Sequence, residues 1–272
     1  MPSQRSRGGR GITSVCRALS ILELFDAHTA ELGITEMAAR LALHKSTLAG
    51  LVYTLERSGY LEQNPATRKY RLGVKLVERA FVALGHLEVI RVALPHLERL
   101  RNWRDETVNL AVLDGDEVVY IERLLSSQTL GMRSEVGKRA MAHSTALGKA
   151  LLSQLPKNEL DALLANCDLA AITPNTIIEP QELKCELELI RNRGYAADME
   201  EDQIGGACIA APIFDHRRKA IAAVGIPMPI ARLSPAEIPD FGAKVMGAAQ
   251  AISQDLGYMP QDGAEVVPGA NS

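Results

Sequence analysis

The chain has 272 residues, 47% of them hydrophobic, and carries 30 Lys and Arg against 33 Asp and Glu, a formal net charge of −3. That length allows two domains of ordinary size, and the composition is that of a globular protein, which excludes the disordered and fibrous classes. No apolar run approaches the ~20 residues of a membrane span and the N-terminus lacks a signal-peptide core, so no membrane partner and a cytoplasmic location are expected.

Charge is unevenly distributed. Residues 1–85 hold 12 Lys and Arg against 7 Asp and Glu, while the remainder holds 18 against 26. A net of +5 beside a net of −8 places a nucleic-acid surface in the first third of the chain. The opening segment 1–11 contains Arg5, Arg7 and Arg10 with almost no apolar content, and reads as a disordered basic arm that either follows a minor groove or solubilises the chain.

Residues 12–73 read as a winged helix-turn-helix. Thr35 is suited to N-cap a helix whose apolar face is Met37, Ala38 and Leu41, with Glu36 in its first turn. A second helix starting near His44 or Lys45 turns Leu48, Leu51, Val52 and Leu55 inward at i, i+3, i+4 and i+7. Lys45, Ser46 and Thr47 are then left at its first turn and Tyr53 further along, where a recognition helix meets the major groove. Gly59 is placed to end that helix in a left-handed conformation. Two short strands follow around Asn64-Pro65-Ala66-Thr67, with Arg68, Lys69 and Arg71 on the wing within reach of phosphates. Double-stranded operator DNA is the partner these residues imply.

Residues 74–86 repeat Val74, Val77, Phe81 and Leu84 at a/d spacing, the pattern of a linker helix that either packs on its own domain or pairs with a second copy. Residues 87–257 read as a second, α/β domain. A helix from Leu87 to about Trp103 is expected to break or restart at Pro95. A hairpin follows, Thr107–Leu113 and Glu117–Leu124 around Asp114-Gly115, then a strand at 129–134. Helices are expected at 144–155, 179–193 and 235–256, and strands at 196–199, 208–214 and 220–226. Antiparallel strands with helices between them make a mixed sheet, not a Rossmann unit. The tail from Tyr258 to Ser272 is expected to fray.

The chemistry of this domain is one of binding. Cys16, Cys167, Cys185 and Cys208 occur singly, without metal-ligand or disulfide spacing, and no metal or cofactor is expected. Gly148-Lys149 fails as a phosphate loop, because the earlier glycine position holds His143 and the final Ser/Thr position holds Ala150. His143-Ser144 lacks the G-x-S-x-G context of a nucleophile, and Ser144 or Thr145 is better suited to cap a helix. An enzyme or metabolite-binding protein that uses the helix-turn-helix as a protein-interaction surface is the alternative reading.

With both halves in view, residues 12–257 resemble the IclR family of bacterial transcription regulators. The resemblance is carried by Ser46-Thr47, Leu55-Glu56-Arg57-Ser58-Gly59-Tyr60-Leu61, Tyr70-Arg71-Leu72-Gly73, Glu106-Thr107-Val108-Asn109-Leu110, the run from Met141 to Ala150, and Gly194-Tyr195 through Cys208 to Asp215. It implies an α+β protein: a winged helix-turn-helix joined by a linker helix to a GAF-like effector-binding domain, working as a homodimer or a dimer of dimers. It also implies a regulator, a repressor of a metabolic gene cluster, whose small-molecule effector alters operator binding. Carried over by position, the effector site would include Met132, Ala140, Ala146, Leu147, Asp198 and Cys208, with Gly225 and Pro227 where relatives often have Ser-x-Ser. Losing both hydroxyls moves the expected effector from a small organic acid toward an aromatic or apolar metabolite with one polar handle. Gly50 stands where many relatives carry Arg, which implies a different operator preference.

Overall fold

The computed structural model describes residues 12–26, 29–85, 88–128 and 135–259, and its contacts divide the chain into two units, residues 1–86 and 87–272. The basic arm therefore lies outside the described residues.

The first unit contains α1 (Thr13–Leu22), α2 (Ile34–Arg40), α3 (Lys45–Arg57), β1 (Leu61–Gln63), β2 (Tyr70–Leu72) and α4 (Val74–Gly85). Its core is built from one or two residues of each of the first five, among them Ile21, Met37, Leu48, Val52, Leu61 and Tyr70. α2 begins one residue before Thr35, and its N-cap is Gly33, whose amide donates to the Glu36 carboxylate at 2.7 Å. Glu36 reaching back does the capping that Thr35 was expected to do. α3 ends as its sequence requires. Tyr60 N donates to Leu55 O and Gly59 N to Glu56 O, both at 2.9 Å, and Gly59 takes φ +79°, the geometry of a Schellman cap. β1 and β2 pair antiparallel with Leu61 opposite Leu72 and Glu62 opposite Arg71. On α4, Val74 and Val77 are 69% and 52% exposed, while the side chains of Phe81 and Leu84 lie outside the described residues.

The second unit opens with α5 (Glu88–Arg104), which runs unbroken through Pro95. The expected break is absent because Val89, Ala93, Leu97 and Leu100 bury one continuous stripe, and that packing outweighs one lost backbone hydrogen bond. A six-stranded sheet follows: β3 (Val108–Asp114), β4 (Glu117–Leu124), β5 (Arg139–Met141), β6 (Ala196–Met199), β7 (Gly206–Phe214) and β8 (Ala220–Pro229), in the order β5-β4-β3-β8-β7-β6. Every named pairing is antiparallel. The strand expected at 129–134 falls outside the described residues, and the third strand in the chain order of this unit is β5.

Helices α6 (Ala146–Leu152), α7 (Lys157–Leu164), α8 (Pro180–Arg193) and α9 (Ile238–Asp255) complete the unit. α6 is shorter than the expected 144–155: Thr145 caps its start, its hydroxyl accepting from Gly148 N at 3.1 Å, and the helix ends at Leu152. The central strands are covered on both faces, which is why β7 reads as one apolar run. Ile209, Ala211 and Ile213 of β7 and Val224 and Ile226 of β8 pack with α5 and α9. Cys208 and Ala210 of β7 and Ala223 of β8 face α6 and α8. Tyr258, the first residue of the tail expected to fray, stacks its ring on Phe214 with centroids 5.2 Å apart, and residues 260–272 lie outside the described residues.

Candidate DNA-reading face and effector recess

The N-terminus of α3 is organised by His44, one of the two residues where the helix was expected to start, though not for its side chain. His44 is the N-cap, its Nδ1 accepting from Ser46 N at 3.4 Å and lying 2.8 Å from Ser46 Oγ. A ring nitrogen two residues before a free helical amide was the available signal. Lys45, Ser46 and Thr47 are all exposed beyond this cap, and Tyr53 is 62% exposed two turns later. An added Cβ at Gly50 would meet nothing within 4 Å, so this face is open.

On the wing, Asn64 Oδ1 accepts from Ala66 N at 2.9 Å, and Glu31 accepts from Asn64 Nδ2 at 2.8 Å. Arg68 is exposed with φ +59°. Lys69 lies 3.5 Å from Glu36 and Arg71 2.9 Å from Glu62, both pairs solvent-exposed. Such pairs are worth at most about 1 kcal/mol, so phosphates can take either cation.

In the second unit, a recess with a cavity volume of about 70 Å³ opens on the α6 side of the sheet. Six of the residues carried over from the resemblance lie on its wall: Ala140, Ala146, Leu147, Asp198, Cys208 and Pro227. Gly225 does not. A Cβ there would sit 3.0 Å from Ala210 Cβ and 3.2 Å from Leu147 Cδ2, so this glycine packs beneath Leu147 behind the wall and has no room for the hydroxyl expected from relatives. Met132 lies outside the described residues. The wall also includes Asn109, Tyr120, Lys138, Thr145, Asp202 and Gln203, none of which was expected at the effector site. For Asn109 a signal existed: an amide inside the apolar run of β3 has to be satisfied or used.

Burial governs the electrostatics. It pushes the Asp198 carboxyl up to about 7, against the hydrogen bond that Asp198 Oδ1 accepts from Glu201 N at 2.7 Å. It raises the Tyr120 phenol strongly, and it raises the Cys208 thiol, with the charges of Asp198 and Asp202 adding to the effect. Cys208 is thus a protonated wall residue and not a reactive thiolate. Asp202 and Asp198, the latter part protonated near neutrality, can accept hydrogen bonds from a ligand, the Lys138 cation stands on the same wall, and Ala146, Leu147 and Pro227 offer an apolar surface.

No hydrolytic dyad forms here. His143 Nε2 lies 3.0 Å from Ala170 O, and Ser144 Oγ donates toward Asp202 Oδ1 at 3.1 Å and Met141 O at 3.2 Å. Among the described residues no group of three or more His, Cys, Asp or Glu is placed to hold a metal ion, and no helix is long and apolar enough to cross a membrane.

Comparison with known proteins agrees with both halves. Residues 14–65 match the IclR helix-turn-helix domain, and residues 81–254 match the bacterial transcriptional regulator IclR C-terminal domain. The chain is 39% identical to the HTH-type transcriptional regulator XynR of Escherichia coli K12 over 91% of its own length and 98% of the relative's. It is 31% identical to the transcriptional repressor IclR of the same organism over 91% of each chain. Among solved structures, Thermotoga maritima IclR aligns with a TM-score of 0.76 at 33% identity, covering 91% of this chain and 100% of that one. An IclR homologue from Microbacterium hydrocarbonoxydans, complexed with 4-hydroxybenzoate, aligns with a TM-score of 0.79 at 28% identity, covering 89% and 98%. A winged reader and an antiparallel effector fold, matched in one order along one chain, leave no enzyme reading in place: the chain belongs to the IclR family of bacterial transcription regulators.

Proposed function

We propose that this chain represses a metabolic gene cluster from an operator read by α3 and the wing, and that a small metabolite bound in the recess alters its hold on that operator. Lys45, Ser46, Thr47 and Tyr53 contact base edges and phosphates in the major groove, and Arg68, Lys69 and Arg71 contact phosphates. The effector lies with an apolar or aromatic body against Ala146, Leu147 and Pro227 and a hydrogen-bond-donating handle toward Asp198 and Asp202, with Ala140 and Cys208 completing the wall. Binding to one site changes affinity at the other by linkage.

The observation that carries this reading is the buried Asp198 turned to a recess, in a chain whose other unit exposes a cationic helix start. Repression is supported by the relative named as a repressor, and an aromatic ligand body by the complex of another with 4-hydroxybenzoate, which carries a carboxylate as well as a hydroxyl. The exposed Val74 and Val77 support pairing of α4 with its copy in a homodimer, alone or within a dimer of dimers. A cytoplasmic location follows from operator DNA as partner.

The test is a footprint on the chain's own upstream region, with metabolites of the neighbouring genes titrated into the complex. Lys45→Ala and Thr47→Ala should each weaken operator binding about tenfold and leave effector binding intact. Absence of any protected region at moderate salt overturns the proposal.

A further inference from the structure

Behind the recess lies an ion pair that the proposed function does not use. Lys149 of α6 is 1% exposed, one of the largest fully buried side chains, and its Nζ pairs with Glu201, which is 8% exposed. Glu201 Oε2 is buried and makes no hydrogen bond of ordinary geometry among the described residues, although the Met199 amide also favours the ionised carboxylate. Removing two such ions from water costs several kcal/mol each, and an apolar pair of similar volume is often at least as stable. A pair that leaves one oxygen unsatisfied is a poor device for stability alone.

What the pair joins is specific. Glu201 sits in the turn between β6 and β7, and that turn with the end of β6 supplies Asp198, Asp202 and Gln203 to the recess. The turn is folded on itself by Asp198 Oδ1, which accepts from Glu201 N at 2.7 Å and from Asp202 N at 3.4 Å. Its backbone is held from one side by Thr176 Oγ1, donating to Glu201 O at 2.7 Å, and by Thr173 Oγ1, donating to Glu200 O at 2.6 Å. On the other side stands α6, whose first turn supplies Ala146 and Leu147 to the opposite wall. Lys149 follows two residues later on the same helix, so its ammonium ties the apolar wall to the acidic one. It is also the cation whose charge draws down the proton affinities of Asp198, Glu201 and Cys208, against burial and, at Asp198 and Cys208, against Asp202; Glu201 raises Asp198, and Glu186 raises Glu201.

We propose that Lys149 and Glu201 are positioning residues of the effector site: their buried pair clamps the turn 198–205 against α6 and so fixes where Asp198 and Asp202 stand in the recess. This rests on the recess being the effector site and extends that reading from the walls to their support.

The test uses the full-length protein without DNA or effector, so its failure and the failure of the proposed function are separable. Peptide-resolved hydrogen–deuterium exchange follows residues 198–206, and a carbon-13 carboxyl titration follows Asp198, assigned by its loss in Asp198→Asn. In Lys149→Met, Glu201 can take up a proton, since burial already holds its carboxyl above the ordinary range, and the fold should survive. Exchange at 198–206 should then accelerate at least tenfold while α9 and β8 stay within twofold, and the Asp198 midpoint should rise only by the excess of the lost Lys149 attraction over the lost Glu201 repulsion. The exchanged pair K149E/E201K conserves the summed reach of the two side chains and should return exchange to within threefold of wild type. If that variant does not fold, Lys149→Arg keeps the cation in place and carries the same expectation. Unchanged exchange at 198–206, equal acceleration through α9, or a restored pair as fast as Lys149→Met overturns the clamp.

Discussion

Asp198 has its proton affinity raised by folding, and the consequence for stability has a definite sign. With its carboxyl at about 7 in the fold and 3.8 as the ordinary value, the native state holds the proton more tightly than the unfolded chain. Its contribution is complete below about pH 4 and is lost as pH rises through 7. Asp198→Asn keeps the oxygen that accepts from Glu201 N but cannot ionise. It should raise the melting temperature of the second unit by several degrees at pH 8, leave it nearly unchanged at pH 4, and flatten the slope between; calorimetry across that range checks all three. Gly50 gives a second residue-scale expectation. Its Cβ position is open, so Gly50→Ala should stabilise α3 by about 1 kcal/mol, seen as a higher midpoint for the first unit in denaturant, without steric cost.

At the scale of elements, legibility follows the strength of local signals. α3 was readable from its buried stripe and its closing glycine, and α8 from Pro180 at its start and Gly194 at φ +86° at its end. α1 and α7 were passed over, the latter because eight residues with only Leu160 and Leu164 fully buried give too little period to detect. β5 has three residues and owes its place to pairing with β4, a long-range fact. The recess shows the same division. Asp198 and Cys208 were reachable through a resemblance, whereas Tyr120 and Asp202 converge on them only once β4 and the turn after β6 are folded. α4 carries its own expectation: if its seam pairs with a second copy, Val77→Asp should shift the protein to a smaller species in sedimentation velocity without lowering either melting transition, because Val77 is already half exposed. An unchanged sedimentation profile would remove α4 as the dimer seam.

For the molecule as a whole, the division of charge between residues 1–85 and the remainder was visible from composition and coincides closely with the boundary between the two units. Composition overstates one thing, however, because it counts every cation of the wing as available. Lys69 and Arg71 already face carboxylates in Glu36 and Glu62, so a phosphate that takes either cation also stands near an acid that offsets part of its neutralisation, and fewer of the DNA's condensed counterions are released. Operator binding should therefore fall with log salt less steeply than the tally of three wing cations implies, each fully counted phosphate contact being worth a slope of about −0.9. Glu36→Gln and Glu62→Gln should each steepen that slope by up to about one unit, measured by titrating the operator complex with salt. In the free regulator Glu36 and Glu62 face two of the three wing cations, and those acids set how steeply the operator complex weakens with salt.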